Sequence, residues 1–285
     1  MAEDREAKIS FISKDEITCP VCETVFHREE LHSGSGRLIA GDITEELQRL
    51  YEPSVKYGNI YPLAYQATVC PECWYASMDK DFLLVPEMVR GAVIEDREKR
   101  IADTELIFPS IDFHEPRGLV SGAASQYLVL RCYGYFSKEF SPTMKQGITS
   151  LRTSWLLDHL HDKSPGEHYD WLAQLFKKKA LFLYTEAFKR EQAGKETLSG
   201  IKNFGPDTDK NYGYEGALYL VALLQLKYGS TTDSEVRNVA LQDAKRTIAK
   251  VFGLGRSSKS RPGPLLAHAR NIYNRIGKEL NEIDD

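Results

Sequence analysis

Apolar residues recur at helical spacing along most of the chain after residue 118. This periodicity predicts amphipathic helices. The predicted spans are about 119–138, 145–161, 168–193, 212–229, 233–252 and 264–281. The third has an unusually broad apolar face, as a helix packed between two neighbours requires. The residues of that face are Trp171, Leu172, Leu175, Phe176, Phe182, Leu183, Ala187 and Phe188.

Short Pro- and Gly-containing segments separate the predicted helices, for example Lys163–Gly166 and Arg261–Pro264. Helices joined by short loops pair as antiparallel hairpins. Small residues such as Ala180 and Ala244 fit the close helix approach of tetratricopeptide-type hairpins. The sequence therefore predicts tetratricopeptide-like helical hairpins, with a generic helical bundle as the alternative.

The first third has a different pattern, in which short extended pieces alternate with turn residues. "EITCPVC" and "AYQATVCPEC" each end at a Cys-Pro turn, which predicts a small ribbon of strands. Asp42–Tyr51 predicts a short helix or turn, and Tyr57–Val69 a strand that enters the second Cys-Pro turn. Residues 79–106 predict one helix or two short ones.

Two prolines in Phe108–Gly118 mark this segment as a linker. We therefore expect a mainly α protein with two parts. Residues 1–115 are predicted to form a small, β-containing, zinc-ribbon-like module with a long insertion. Residues 116–285 are predicted to form the tetratricopeptide-like helical domain.

Composition and length are typical of a soluble globular protein, with 42% hydrophobic and 27% charged residues in 285. No apolar run approaches the roughly 18 residues that span a bilayer. The N-terminus, "MAEDREAKISF", lacks the apolar core of a signal peptide. We therefore expect a cytoplasmic protein without a membrane segment, in a compartment where thiols stay reduced.

Charge is distributed unevenly around a net value of −4. Residues 1–115 carry 12 Lys/Arg and 23 Asp/Glu, whereas residues 116–285 carry 25 Lys/Arg and 18 Asp/Glu. A basic face for an acidic partner is one interpretation. Since no dense basic run appears, we prefer the interpretation that the two halves attract each other and that most charges are solvated.

Two Cys-Pro-x-Cys motifs carry the clearest chemistry in the chain. They contain Cys19, Cys22, Cys70 and Cys73, and 47 residues separate Cys22 from Cys70. Each motif places two thiolates on one turn, and four thiolates suit a closed tetrahedral zinc site. The sequence therefore predicts a structural zinc ion. Iron in the same site, two redox-active pairs and four unliganded thiols are the alternatives.

Motifs for catalysis are missing: the sequence contains no phosphate-binding loop, nucleophile elbow, zinc-protease motif or dinucleotide fingerprint. The most basic flexible loop contains Arg256, Lys259 and Arg261, which are candidates for partner contact. Our first hypothesis is a non-enzymatic, metal-stabilised scaffold that binds a protein or peptide in a groove of the helical hairpins.

A small-ligand sensor or an enzyme is the second hypothesis, with a pocket between ribbon and helices. Its candidate residues are Arg37, Asp42, Tyr65 and Asp81, each of which has an ordinary surface or structural role as its alternative. The third hypothesis is nucleic-acid binding through the basic helical half. The acidic first third argues against nucleic acid bound to the aromatic residues beside the second knuckle, because that affinity depends on phosphate neutralisation.

Several stretches resemble DUF2225, a bacterial family of uncharacterised proteins. They are "CPVC" with Phe26, "SGSGR" with Arg37 and Asp42, "YPLAYQATVCPECWYASMDKDF", "RCYGYF", "SLRTSWLLDHL", "KKKALFLYTEAFKRE" and "LAHARNIYNRI". The resemblance spans most of the chain and implies a zinc-ribbon-like module fused to tetratricopeptide-like helices. Trp74 departs from the family, which tends to have Gly there. The family has no established activity, so the resemblance implies architecture and no mechanism.

Overall fold

The chain is mainly helical, as the sequence predicts, with eight α-helices and six β-strands among the described residues. The strands lie in the first third and the long helices follow. The structure is a computed structural model, which describes residues 8–32, 34, 36–201, 203–207, 209, 212–252 and 263–284.

Six strands form three separate antiparallel pairs, β1 with β2, β3 with β4 and β5 with β6. Their bounds are β1 Ser10–Thr18, β2 Val25–Leu31, β3 Ile39–Ile43, β4 Arg49–Glu52, β5 Ala67–Val69 and β6 Ala76–Met78. Each pair is a hairpin of consecutive strands, and two of the three hairpins enclose a Cys-Pro-x-Cys motif.

The six long helices lie where the apolar periodicity predicts them, and residues 79–106 contain the two short ones. Their bounds are α1 Glu87–Glu95, α2 Arg97–Glu105, α3 Leu119–Cys132, α4 Pro142–Lys163, α5 Tyr169–Gln192, α6 Gly213–Tyr228, α7 Ser234–Phe252 and α8 Gly263–Asp284. The helix α3 ends six residues early because a 3₁₀ turn follows at Tyr133–Tyr135. Asp233 caps α7, accepting hydrogen bonds from the backbone N–H groups of Glu235 and Val236.

Asp42–Tyr51, predicted as a short helix or turn, contains the turn of the β3–β4 hairpin, because Leu47 takes a left-handed backbone conformation (φ 64°) that a helix interior does not allow. The strand predicted over Tyr57–Val69 is limited to β5. A 3₁₀ turn at Pro62–Tyr65 precedes β5, and the fixed φ angle of Pro62 favours the start of this turn.

From α4 to α8, consecutive helices pack against each other in chain order, and α6 also contacts α8. Most buried side chains belong to a large cluster among these helices, which includes Leu47 and Phe108 from the first 115 residues. A smaller cluster surrounds the cysteines and includes Leu128 and Val129 of α3. The division at residue 115 stays a prediction, and both clusters draw residues from both sides of it.

The helix α3 connects the two clusters through a close backbone approach. A Cβ atom on Gly122 would lie 2.4 Å from the Cβ of Ala64, so only glycine fits there. The side-chain amide of Gln126 donates to the carbonyl of Leu63 (3.0 Å). The turn before the second cysteine motif is therefore held directly on the helical core.

The tip of the β3–β4 hairpin inserts among the long helices. Its Glu46 carboxylate accepts hydrogen bonds from the Trp155 indole (2.6 Å) and the Tyr228 hydroxyl (2.7 Å). The adjacent Leu47 side chain is buried in the large cluster. The backbone carbonyl of Glu45 accepts from the Tyr219 hydroxyl (2.8 Å). Side chains of α4 and α6 therefore fix this tip through hydrogen bonds and apolar packing.

Glu46 remains ionised in this buried position. Burial raises the pKa of its carboxyl, but the positive charges of Lys177 and Lys227 and the hydrogen bonds from Trp155 and Tyr228 outweigh burial. The pKa of Glu46 therefore lies below its ordinary value. Such hydrogen bonds to a charged group are stronger than those between neutral groups.

We expect Glu46→Gln to lower the free energy of unfolding by about 1–3 kcal/mol at pH 7, because charge-assisted hydrogen bonds are lost. Since the folded pKa is depressed, this contribution is full above pH ~4.3 and disappears as the pH falls through the folded pKa. Urea unfolding at several pH values measures it. The control Glu52→Gln, an exposed carboxylate on β4, should change stability by less than ~0.5 kcal/mol. Equal effects of both substitutions would contradict the role of Glu46.

Candidate metal centre

The first Cys-Pro-x-Cys motif forms the turn between β1 and β2. The backbone N–H of Cys19 donates to the carbonyl of Thr24 (2.8 Å), and the N–H of Glu23 donates to the carbonyl of Cys19 (3.0 Å). Glu23 takes a left-handed conformation (φ 67°), which reverses the chain into β2. Pro20 fits this turn because its missing N–H is not needed there.

The second motif repeats this geometry between β5 and β6. The N–H of Cys70 donates to the carbonyl of Tyr75 (2.9 Å), and the N–H of Trp74 donates to the carbonyl of Cys70 (3.0 Å). Trp74 takes the left-handed conformation (φ 54°) that corresponds to Glu23. Each motif is thus the knuckle of a β-hairpin, and the two knuckles share one hydrogen-bond pattern.

The two knuckles bring the four predicted cysteines together. The Sγ atoms of Cys19 and Cys73 are 3.7 Å apart, and those of Cys22 and Cys70 are 3.5 Å apart. All four Sγ atoms lie within 4.8 Å of one another. Four sulfurs at about 2.3 Å from a tetrahedral zinc ion lie about 3.8 Å apart, so this donor set fits a metal ion. These distances are too long for disulfide bonds.

Three of the four thiols are buried, and Cys22 is half-buried. Hydrogen bonds from Cys70 and Cys73 lower the pKa of Cys19 to about 4. The hydrogen bond to Cys19 and burial raise the pKa of Cys73. Cys19 therefore ionises readily, whereas Cys73 does not. A bound cation is needed for all four sulfurs to be ionised together.

Arginines of α1 and α2 dock on both knuckles. Arg100 is fully buried and donates to the carbonyl of Cys73 (2.7 Å), and Arg97 donates to the carbonyl of Glu72 (2.8 Å). Arg90 pairs with the Glu23 carboxylate (2.7 Å). Arg97 and Arg100 fix the backbone of the second knuckle, Arg90 holds a side chain of the first, and all three bring positive charge towards the sulfurs. Sequence reasoning missed them, because arginines in such polar helices look solvent-exposed.

The aromatic residues beside the second knuckle form a small core. The Trp74 and Phe113 rings pack edge to face with centroids 5.1 Å apart, and Phe82 packs against Tyr75 at 5.0 Å. Cys132 of α3 lies outside the four-sulfur cluster. Its buried sulfur accepts a weak hydrogen bond from the N–H of Ala76 (3.5 Å). Cys132 is therefore a buried packing residue.

The structure places the four polar ligand candidates in different surroundings. Arg37 donates to the carbonyl of Gly34 (3.0 Å), and Asp42 is exposed on β3. The Tyr65 hydroxyl donates to the carbonyl of Arg117 (3.0 Å), and Tyr65 lines a 580 Å³ cavity beside β2. Asp81 lines a second cavity, of 470 Å³, between the first third and α4. These four residues therefore do not share one cavity in the described part of the chain.

The three partner-contact candidates Arg256, Lys259 and Arg261 lie outside the described residues. Among the helices that the structure describes, none combines the length and the apolarity needed to cross a bilayer.

Fold and site together define a mainly helical protein with a four-cysteine centre in its first third. The chain belongs to the DUF2225 family, described as "Uncharacterized protein conserved in bacteria", which it matches over residues 12–276. It is 37% identical over 276 residues to an uncharacterized protein of Borreliella burgdorferi, covering 97% of this chain and 99% of that protein. No solved structure matches it.

Substitution by glycine is expected to have a much larger effect at Trp74 than at Glu23, the two left-handed residues of the knuckles. For Trp74→Gly, relief of about 1 kcal/mol of backbone strain does not offset the loss of a buried indole, so we expect a net destabilisation of about 2–4 kcal/mol. For Glu23→Gly, similar relief offsets the loss of an exposed ion pair, so the change should stay below ~1 kcal/mol. Denaturant unfolding of both variants checks this, and equal destabilisation would contradict it.

Proposed function

We propose that this chain is a non-enzymatic scaffold that a structural zinc ion stabilises and that binds a segment of a partner protein. The metal would be held by Cys19, Cys22, Cys70 and Cys73, whose sulfurs all lie within 4.8 Å of one another. Four thiolates close the coordination shell, so the ion would cross-link the two knuckles and leave no open position for a substrate.

A zinc-ribbon-like arrangement is supported by the two equivalent hairpins. The strand pairs β1–β2 and β5–β6 each present one knuckle, and the intervening 47 residues include the hairpin β3–β4 as an insertion. The small cluster around the sulfurs is held between these hairpins and α3. Metal binding would supply stability that so small a core lacks.

Metal analysis of the purified protein tests this part of the proposal. We expect about one zinc per chain, lost in Cys70→Ser together with a large drop in the unfolding temperature, since structural zinc contributes directly to folding. Cys132→Ala is the matched control, because Cys132 is a buried cysteine outside the cluster, and it should keep its metal. Metal-free wild-type protein with native stability, or full metal content in Cys70→Ser, would contradict the proposal. Iron in place of zinc would change only the identity of the ion.

The partner-binding part rests on an exposed apolar stripe of α5. Trp171, Leu175 and Phe182 are spaced by four and seven residues, so they share one face of the helix, and their exposed fractions are 59%, 41% and 64%. Phe182 also lines a 610 Å³ groove between α5 and α7, together with Val236, which is equally exposed. Exposed apolar patches of this kind mark interaction sites.

The charges around this groove favour an acidic partner. Lys178 and Lys189 line it, and neither makes an ion pair within the described part of the chain. The acidic Glu186 is already paired with Arg190 (2.8 Å). An amphipathic segment with acidic residues beside its apolar face would therefore be complementary. Helices that pack in chain order and expose a groove are typical of tetratricopeptide-like binding domains.

A peptide-display selection on the purified protein tests this surface. We expect it to enrich peptides that combine acidic and large apolar residues, with at least tenfold weaker binding, about 1.4 kcal/mol, to Phe182→Glu. Leu106→Glu is the control, because Leu106 is even more exposed (85%) but lies at the end of α2, away from the groove. Selection of the same peptides by both variants, or of none by the wild type, would contradict the proposal. A dimer that Phe182→Glu dissociates would replace the partner with a second copy of the chain.

A further inference from the structure

A cavity of 470 Å³ lies between the first third of the chain and the middle of α4. Its size suits a small molecule. One wall is formed by the residue before β5 and by residues at and after the end of β6, the other by α4 and residues 200, 201 and 203. Polar side chains from both walls line it: Gln66, Asp79, Lys80, Asp81, Lys145, Arg152 and Asn203.

Arg152 is the unusual residue of this cavity. Only 6% of its surface is exposed, yet no carboxylate of the described residues lies within 4.0 Å of its guanidinium. Its Nε donates to the carbonyl of Pro206 (2.6 Å). The two terminal amino groups make no hydrogen bond to the described chain, and neither is an enclosed atom, so they are open to the cavity.

Other buried arginines of this protein have acidic partners. Arg237 pairs with Glu279 (2.6 Å), and Arg100 lies 3.6 Å from Asp96. Burying a charge is costly unless it is paired, and burial lowers the pKa of Arg152 accordingly. The carboxylates of Asp207 and Asp79 attract Arg152 from beyond 4.0 Å, but burial outweighs this attraction, so Arg152 has no direct acidic partner among the described residues.

The two carboxylates that line the cavity already have other hydrogen-bond partners. The Asp81 carboxylate accepts from the Tyr133 hydroxyl and from Lys145, both at 2.5 Å. The Asp79 carboxylate accepts from the Thr68 hydroxyl (2.6 Å). Asp81 therefore neutralises Lys145, and only Lys80, which is exposed, adds positive charge to that of Arg152 among the described lining residues. A negatively charged ligand group would therefore balance the positive charge of Arg152.

We propose that this cavity binds a small molecule through an oxyanion group, a carboxylate or a phosphate, with Arg152 as the anchor. The planar guanidinium presents two parallel N–H donors, which match two oxygens of either group. The site is independent of the α5–α7 groove and needs no metal at the four cysteines. It corresponds to the second sequence hypothesis, a ligand pocket between ribbon and helices, and adds Arg152 to Asp81 as its residues.

Thermal unfolding with added anions tests the site. Inorganic phosphate and succinate are compared with chloride at matched ionic strength. At tenfold excess over its dissociation constant, the bound anion should raise the wild-type unfolding temperature by about 3 °C, and this shift should vanish in Arg152→Met. A shift with phosphate alone assigns a phosphate ligand, and one with succinate alone a carboxylate ligand. No shift with either anion, or the same shift in Arg152→Met, overturns the proposal.

Two further variants separate binding from stability. Arg152→Lys keeps the charge but loses the two-pronged donor, so titration calorimetry should show at least tenfold weaker anion binding. Arg237→Met removes an equally buried arginine that already has a partner, so it should destabilise the protein and leave the anion shift unchanged. Without anion, Arg152→Met should be at least as stable as the wild type, because an unpaired charge is removed. Unchanged anion affinity in Arg152→Lys, or loss of the shift in Arg237→Met, contradicts the assignment.

Discussion

Convergence of four sulfurs from two distant turns is the constraint on which the first third of the structure depends. The turns are 47 residues apart in sequence, yet their Sγ atoms lie within 4.8 Å of one another. Four ionised thiolates at such distances repel each other, so the arrangement makes physical sense around a cation. The two β-hairpins, α1, α2 and α3 with the turns that follow it all pack around this point. The arginines of α2 support it because they bind the backbone of the second knuckle, and Arg90 of α1 supports it through the Glu23 side chain of the first.

The features that sequence reasoning found are those fixed by local pattern. The apolar residues of long helices such as α5 recur at a spacing typical of helices and of no other element. The two cysteines within each Cys-Pro-x-Cys motif have a spacing typical of metal ligands. Trp74 shows the limit of such reasoning. A bulky residue at a glycine-like position is accepted because the indole packs against Phe113, and that compensation is tertiary.

The features that it missed depend on contacts between remote segments. For "ITEELQRL" in the β3–β4 hairpin the sequence left a helix or a turn open, and burial of Glu46 and Leu47 among the long helices selects the turn, with a strand on either side that the sequence did not predict. Arg152 lies in "SLRTSWLL", where a charge within an apolar stretch is a signal that is visible in the sequence. Its meaning depends on which acidic groups lie nearby, and this is set by the packing of the first third on α4.

The inserted hairpin tip has a consequence for how the chain can be divided. Residues 116–285 read as a complete helical array, but Trp155, Tyr219 and Tyr228 satisfy their polar groups on residues 45 and 46. A fragment that begins after residue 115 would expose a cleft. It would be lined by three hydrogen-bond donors that have lost their acceptors and by the apolar surface that Leu47 covers. The segment Phe108–Gly118, which its two prolines mark as a linker, is therefore a poor site at which to divide this polypeptide into fragments.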